Sequence, residues 1–338
     1  MKTQVLKPTK SAIKKACDLI KSGEVVCVPT ETVYGLAGSA FDGKAIKKIF
    51  IAKGRPQDNP LIVHISSMHQ LQDVVSKVPA DAKKLANAFW PGPLTIIMPK
   101  GNKIAPETCA GLSSVGVRMP AHPVARAIID NAGPFAAPSA NISGRPSPTT
   151  AEDVFADMNG RIPLIIDGGE CDAGVESTVV SCLEDTPIIL RPGVVTKEMM
   201  EQVLGKPVAI AKAITEEVKE NEKVLSPGMK YKHYAPNAKV VLVKGTLNQF
   251  INYVHAHAQA GTFVLVFDDE EKYFDTNALT YGKIDDPKAQ AHNLFTRLRE
   301  LDKLGAKEVF VRSPNPNGIG LAVYNRLIRS AGFNIVEL

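Results

Sequence analysis

No segment of this sequence approaches the run of about 18 apolar residues that a membrane-spanning helix needs. The N-terminal MKTQVLKPTKSAIKKACDLI also lacks the continuous apolar stretch of a signal peptide. A soluble, cytoplasmic protein is the expectation. Cysteine is scarce: Cys17, Cys27, Cys109, Cys171 and Cys182 are odd in number and far apart. That excludes a disulfide framework and a zinc site of Cys/His spacing, and leaves reduced, buried thiols. Aromatic residues make up 6% of the 338 positions, with one tryptophan. Neither sign of charge dominates, since 40 basic side chains face 35 acidic ones for a net +5. This mildly basic balance suits anionic ligands such as nucleotides and decides nothing alone. Several catalytic signatures are missing too: no GxxxxGK[ST] phosphate loop, no GxSxG nucleophile elbow and no HExxH helix. What remains is an ordinary globular composition, 44% hydrophobic and 22% charged, in a chain long enough for two domains.

From residue 11 to about 204, short β-branched runs alternate with helical patterns. Strands are expected at 24–28, 61–65, 94–98, 115–118, 135–137, 163–166, 177–182 and 188–190. Helices are expected at 11–21, 44–52, 80–89, 123–131, 151–158 and 197–204. Strands and helices mixed without strict alternation predict one α/β domain over 1–204 around a mixed sheet. Residues 205–237 break the pattern with the charge-rich AKAITEEVKENEKV and then SPGMKYKHYAP, and read as an interdomain linker. Met229, Tyr231, His233 and Tyr234 are unusual in a spacer, because aromatic side chains there dock on something. From 238 to 338 the alternation is regular: VVLV, LNQFINYVHAHA, TFVLVF, AHNLFTRLRELDKL, EVFVR and GLAVYNRLIRSA. This predicts a smaller α/β unit with a parallel, Rossmann-like sheet. It has no GxGxxG loop opening a helix after its first strand, so dinucleotide binding is not supported.

The residues suited to chemistry lie in loops of the first domain. PTETVYGLAG (29–38) follows a strand with Thr30, Thr32 and two glycines, fit either for close approach to a ligand or for a capped turn. KGRPQDNPLIVH (53–64) places Lys53 and Arg55 around a glycine, a pair suited to phosphate oxygens or to a helix C-terminus. WPGPLT (90–95) reads as a structural corner. Arg118 ends an apolar strand, and a buried arginine there needs a substrate carboxylate or an internal Asp or Glu. APSANISGRPSPTT (137–150) adds Ser139, Asn141, Ser143, Ser147 and Thr149 on a proline-stiffened loop, and GGECDAGVESTVV with ILRPG adds Ser177, Thr178 and Arg191. Such a set, rich in cations and hydroxyls and poor in bases, suits catalysis by positioning and charge neutralisation, as in phosphoryl or nucleotidyl transfer.

In this order, PTETVYGLAG, KGRPQDNPLIVH, WPGPLT, VGVRMP, PSANISGRPSPT, ESTVV and LRPG resemble the YrdC-type threonylcarbamoyl-AMP synthases. Lys53, Arg55, Ser139 and Asn141 are similar to that family's signature tetrad, and SPGMKYKHYAP with the tail resembles its long, two-domain form. The resemblance implies a twisted mixed sheet around a deep, basic cavity. It implies that L-threonine, bicarbonate or CO2, and ATP with nucleotide-bound Mg2+ give threonylcarbamoyl-AMP and pyrophosphate. A Kae/TsaD-type transferase would take the product to tRNA.

Carried over by motif, Lys53 and Arg55 would be catalytic. Thr32, His64, Arg118, Ser139 and Ser177 would hold threonine. Arg55, Asn59, Asn141, Ser147 and Arg191 would hold ATP, with Ser114 and Thr149 added from loop position and no protein ligands to a metal. Tyr231, His233 and Tyr234 would close over the nucleotide as a lid. Two other readings are a double-stranded RNA or tRNA-binding module and a carbamoyltransferase acting on a protein thiol. The first lacks a basic run, and the second needs accessory segments that this sequence does not contain.

Overall fold

The computed structural model describes residues 2–216, 233–275 and 277–338. They divide into two compact units, the second of which includes the tripeptide Gly144–Pro146 besides the C-terminal region.

In the first unit, capped amphipathic helices cover one continuous mixed sheet. Strands β1 (Gln4–Leu6), β2 (Val26–Val28), β3 (Gly35–Ser39), β4 (Ile62–His64), β5 (Leu94–Pro99) and β6 (Ser114–Arg118) are followed by β7 (Phe135–Ala136), β8 (Leu164–Ile166), β9 (Thr178–Ser181), β10 (Ile188–Arg191) and β11 (Ala209–Ile210). They lie in the order β1-β8-β2-β3-β7-β4-β6-β5-β9-β10-β11. Parallel and antiparallel pairings alternate irregularly, as at β4/β6 (parallel) and β5/β6 (antiparallel). Helix α1 (Lys10–Lys21) starts where the Thr9 hydroxyl accepts from the Ala12 N–H, and it buries Ala12, Ala16, Cys17 and Ile20 on one stripe. That stripe packs with Val124, Ala125, Ile128 and Ile129 of a later helix over Val26, Val28 and Leu164 of the sheet. Truncating such a fully buried residue, Ile128→Ala for example, removes about 2–5 kcal/mol.

The other helices of this unit are α2 (Gly43–Lys53), the single turn α3 (Leu71–Val74), α4 (Ala80–Phe89), α5 (Pro123–Ala132), α6 (Ala151–Met158) and α7 (Lys197–Leu204). Thr150 and Thr196 cap the last two through the N–H groups of Asp153 and Met199. Strand β3 was expected as loop because glycines weaken strands. Here the glycine allows close packing: a Cβ on Gly35 would lie 3.2 Å from the Ala137 Cβ, tighter than an ordinary van der Waals contact. β11 and a 3-10 turn at Lys212–Ile214 fall inside the stretch expected as linker, and β11 pairs with β10.

The second unit has the expected parallel sheet. Strands β12 (Lys239–Lys244), β13 (Thr262–Val266), β14 (Ala278–Thr280), β15 (Glu308–Arg312) and β16 (Ile335–Glu337) run in the order β14-β13-β15-β12-β16, with every pair parallel. Helices α8 (Leu247–His257), α9 (Pro287–Lys303) and α10 (Gly320–Ser330) make the crossovers. A capping box of Thr246 and Gln249 opens α8. Val241, Val243, Phe250, Val264 and Phe310 form the core. β14 and β16 were not anticipated, since each is three residues long and only half-buried. His257 is exposed near the end of α8 and stacks on the half-buried Tyr253, at 4.2 Å between ring centroids, while Tyr253 packs against the core beside Phe310.

Candidate active site

Strand register gathers the expected residues of the first unit. Ile62 pairs with Gly116 and His64 with Arg118. Ile97 faces Gly116 across β5/β6, Thr95 pairs with Val179, and Val179 with Arg191 across a bulge. Side chains two apart share a face. One face of the sheet therefore carries His64, Arg118, Ser114, Thr95 and Arg191 together with small or apolar residues. A small, shallow recess opens on this face, lined by Pro60, Leu61, Ile62, Thr95, Ser114 and Val179 among others. Its lining holds no charged side chain, so the basic cavity implied by the resemblance stays an expectation.

Arg118, 4% exposed, is fixed by three contacts. Its Nε donates to the Gly92 carbonyl at 3.2 Å and its Nη1 to the Thr32 hydroxyl at 2.8 Å. Its Nη2 lies 2.6 Å from the Glu31 carboxylate. Thr32 is tied in turn to Thr30, with the hydroxyls 2.9 Å apart. Burial alone would raise the Glu31 carboxyl. The Arg118 charge, with the nearby N–H groups of Glu31 and Ala121, outweighs it and keeps the group below the usual range. His64 bonds the Ile62 carbonyl through Nδ1 at 3.1 Å and stacks on Phe135. Burial first, and then the Arg118 charge, push its pKa down to about 3, so the imidazole is neutral at any working pH.

Lys53 ends α2 and is 2% exposed. Its ammonium donates to the carbonyls of Ser139 and Asn141 at 2.6 and 2.7 Å, with the Asn141 Oδ1 at 3.4 Å. Its own carbonyl accepts from Ser143 N–H. The lysine thus pins the Ser139–Ser143 turn, which also runs antiparallel beside the PTETVYGLAG segment through a Gly35–Ser139 bridge. Arg55 donates to the Asn59 carbonyl at 3.3 Å, and its guanidinium lies 5.8 Å from the Phe50 ring centre. The Asn59 side chain is 1% exposed, and neither of its amide atoms has a hydrogen-bond partner among the described residues.

A third group joins the other segments. The Ser177 hydroxyl lies 2.8 Å from that of Thr95 and accepts from Arg191 Nη2 at 3.2 Å, while Arg191 Nε donates to the Ser177 carbonyl. Ser147 donates to the buried Glu176 carboxylate. The Thr149 carbonyl accepts from Cys171 N–H and that of Glu31 from Ala173 N–H, so the 168–176 loop is laced to the other two. Tyr231 lies outside the described residues. Tyr234 belongs to the second unit, where its ring sits 5.2 Å from Phe295 and 5.5 Å from the Arg326 guanidinium, with His233 beside it at 5.6 Å.

A family model covering the Sua5, YciO and YrdC proteins, described as "Telomere recombination", matches residues 18–193, and a threonylcarbamoyl-AMP synthase C-terminal domain model matches 195–332. The chain belongs to the Sua5/YciO/YrdC family. Among Sua5-type relatives, the threonylcarbamoyl-AMP synthase of Bacillus subtilis is 44% identical over 99% of this chain and 97% of its own length. That of Pyrococcus abyssi is 42% identical over 96% of each. The crystal structure of P. abyssi Sua5 complexed with L-threonine matches with a TM-score of 0.91 at 40% identity, over 100% of this chain and 99% of that one. Escherichia coli YciO, at 22% identity and a TM-score of 0.52, covers 57% of the chain and shares the fold of that portion.

In this Sua5-family chain, three polar residues were not singled out from the sequence. Glu31 and Glu176 sit inside motifs that were read for their hydroxyls and glycines, and Thr95 lies in a corner read as structural. The signal for Glu31 was the arginine itself: a buried Arg118 requires a carboxylate, and PTETVYGLAG carries one.

Proposed function

We propose that the chain is an L-threonylcarbamoyladenylate synthase, joining L-threonine, bicarbonate or CO2, and ATP into threonylcarbamoyl-AMP with release of pyrophosphate. The observation that carries this reading is the convergence of Thr32, His64, Arg118, Ser177 and Arg191 on one buried face, in a chain 40% identical to a protein solved with L-threonine. Arg118 has the geometry for the amino-acid carboxylate, a bidentate acceptor for its fork. Neutral His64 and the hydroxyls of Thr32, Ser139 and Ser177 complete the threonine side. Arg55, Asn59, Ser114, Asn141, Ser147, Thr149 and Arg191 take the nucleotide, and Asn59 brings an amide that has no hydrogen-bond partner among the described residues.

The amine of threonine adds to CO2 and loses a proton, giving a carbamate. A carbamate oxygen then attacks the α-phosphorus in line, and the bond to pyrophosphate breaks. No side chain needs to form a covalent bond, which fits a site of cations and hydroxyls. Lys53 spends its donors on the Ser139–Asn141 turn, so its charge reaches the phosphates from behind that turn. ATP is expected as its Mg2+ complex. Among the described residues no three side chains of metal-binding type come together, and no step is assigned to the ion. His233, Tyr234 and Tyr231 remain the expected lid, and a Kae/TsaD-type transferase the expected receiver of the product. Five buried, unpaired thiols support a cytoplasmic setting, and none of the described helices is long and apolar enough to cross a membrane. The cations of the site are buried, Lys53 at 2%, Arg118 at 4% and Arg191 at 7%, which argues against docking on an RNA backbone.

The test is pyrophosphate release from ATP, with threonine and bicarbonate each left out in turn. Release should require both. Release independent of threonine overturns the substrate.

A further inference from the structure

Glu31 stands in contact with the arginine assigned to the substrate carboxylate, yet the reaction as described gives it nothing to do. A carboxylate there competes with substrate for Arg118. If the site needed only to attract a carboxylate, this arrangement would weaken it. Arg118 and Glu31 together are net neutral, so a simple monocarboxylate would add an uncompensated negative charge to a buried site, which is costly. An α-amino acid zwitterion adds none, and its two charges are the reverse of the pair's.

The donor and acceptor counts agree. A guanidinium has five N–H groups. Gly92 and Thr32 occupy one each on Nε and Nη1, and Nη2 is ion-paired with Glu31 without hydrogen-bond alignment, leaving N–H groups on Nη1 and Nη2 for a carboxylate. On the other side, Glu31 Oε1 meets Arg118 and the N–H groups of Glu31 and Ala121 lie near the carboxylate, yet neither oxygen has an aligned hydrogen-bond donor among the described residues, which leaves lone pairs for an ammonium. The Glu31 side chain is 12% exposed while its two carboxylate oxygens are shielded from solvent, so an ammonium meeting them would be paired out of bulk water. The nearest other titratable groups add no positive charge at neutral pH: burial holds both His64 and His122 below the ordinary histidine value.

We propose that Glu31 receives the ammonium group of L-threonine, so that the Glu31–Arg118 pair grips the zwitterion at both ends and selects amino acids over carboxylic acids without an amine. This rests on the assignment of Arg118 to the substrate carboxylate. Glu31 then sets which amino acids the site accepts.

The experiment is calorimetric binding, without ATP, of L-threonine and of 3-hydroxybutanoate, which is threonine without its amine. It compares the wild-type protein with Glu31→Gln and Arg118→Gln. Loss of a charge-assisted hydrogen bond predicts a Kd for L-threonine roughly 10- to 100-fold higher in Glu31→Gln. Binding of 3-hydroxybutanoate should stay within about threefold or tighten. Parallel weakening of both ligands would mean that Glu31 only orients Arg118, and unchanged L-threonine binding would mean that it does neither; each overturns the proposal. Arg118→Gln should weaken both ligands. If it weakens neither, the carboxylate assignment has failed and the proposal falls with it, whereas loss of both alongside an indifferent Glu31→Gln sinks the Glu31 role alone. Should Glu31→Gln not fold, the wild-type protein decides: it must bind L-threonine at least about tenfold more tightly than 3-hydroxybutanoate, and equal binding refutes the ammonium contact.

Discussion

Lys53→Met separates two roles that the sequence could not tell apart. Methionine nearly matches the length of lysine and removes its charge. If the ammonium served only a bound phosphate, its removal would leave the ligand-free fold untouched or relieved of a buried cation. The structure instead gives it the Ser139 and Asn141 carbonyls at 2.6 and 2.7 Å, at 2% exposure. A hydrogen bond from a charged donor contributes about 1.5–3 kcal/mol, and a buried carbonyl left without a donor costs a similar amount. Two such bonds, discounted for non-additivity and relaxation of the turn, put the loss at about 3–5 kcal/mol. For a domain of this size each kcal/mol moves Tm by roughly 2–4 °C, so the melting point should fall by about 10 °C. Turnover should fall by roughly 100-fold or more, because the turn carrying Ser139 and Asn141 loses its anchor. Thermal denaturation without ligand, beside pyrophosphate release at saturating substrate, reads both effects. A variant that loses turnover but melts within about 2 °C of wild type would refute the anchoring role.

Asn59→Leu should leave the ligand-free protein as stable as wild type or more so by about 1 kcal/mol, since both amide atoms of Asn59 are buried without partners among the described residues. Its KM for ATP should rise by roughly tenfold; a melting point that drops by several degrees would show that the amide already has partners in the free protein. His64 supplies a pH dependence. Its folded pKa is about 3 against an ordinary 6.5, so the unfolded chain takes up the proton first as pH falls. The contribution of His64 is therefore whole above about pH 6.5 and declines by about 1.4 kcal/mol per unit below it, down to about pH 3. Between pH 6.5 and 4.5, chemical denaturation of His64→Gln should lose about 2–3 kcal/mol less stability than wild type. Equal slopes would contradict a buried neutral imidazole.

How much could be read in advance differed from element to element for physical reasons. The helices at 151–158 and 197–204 were legible from their periodicity, and the structure adds the caps, the Thr150 and Thr196 hydroxyls accepting from the Asp153 and Met199 N–H groups. Strands β4, β5 and β6 announced themselves by β-branched runs. β3 did not, because its glycines and alanine answer to the close packing of Ala137 and Ile49, a tertiary constraint with no local signature. At the site, residue type was legible but partnership was not. Arg118 was open between a substrate and an internal carboxylate, and the structure shows Glu31 against it. The face shared by His64, Arg118, Ser114, Thr95 and Arg191 follows from strand register, which joins segments far apart in the chain and leaves no trace in any one of them.

The central claim is that this chain joins threonine, one inorganic carbon and AMP in a single molecule. Incubation of the purified full-length protein with ATP, L-threonine and 13C-bicarbonate, followed by mass detection, tests it most directly. The account predicts threonylcarbamoyl-AMP that is one mass unit heavier than the product from unlabelled bicarbonate, with pyrophosphate formed in equal amount. Pyrophosphate without a labelled threonine adenylate, or a threonine adenylate that carries no label, would contradict it.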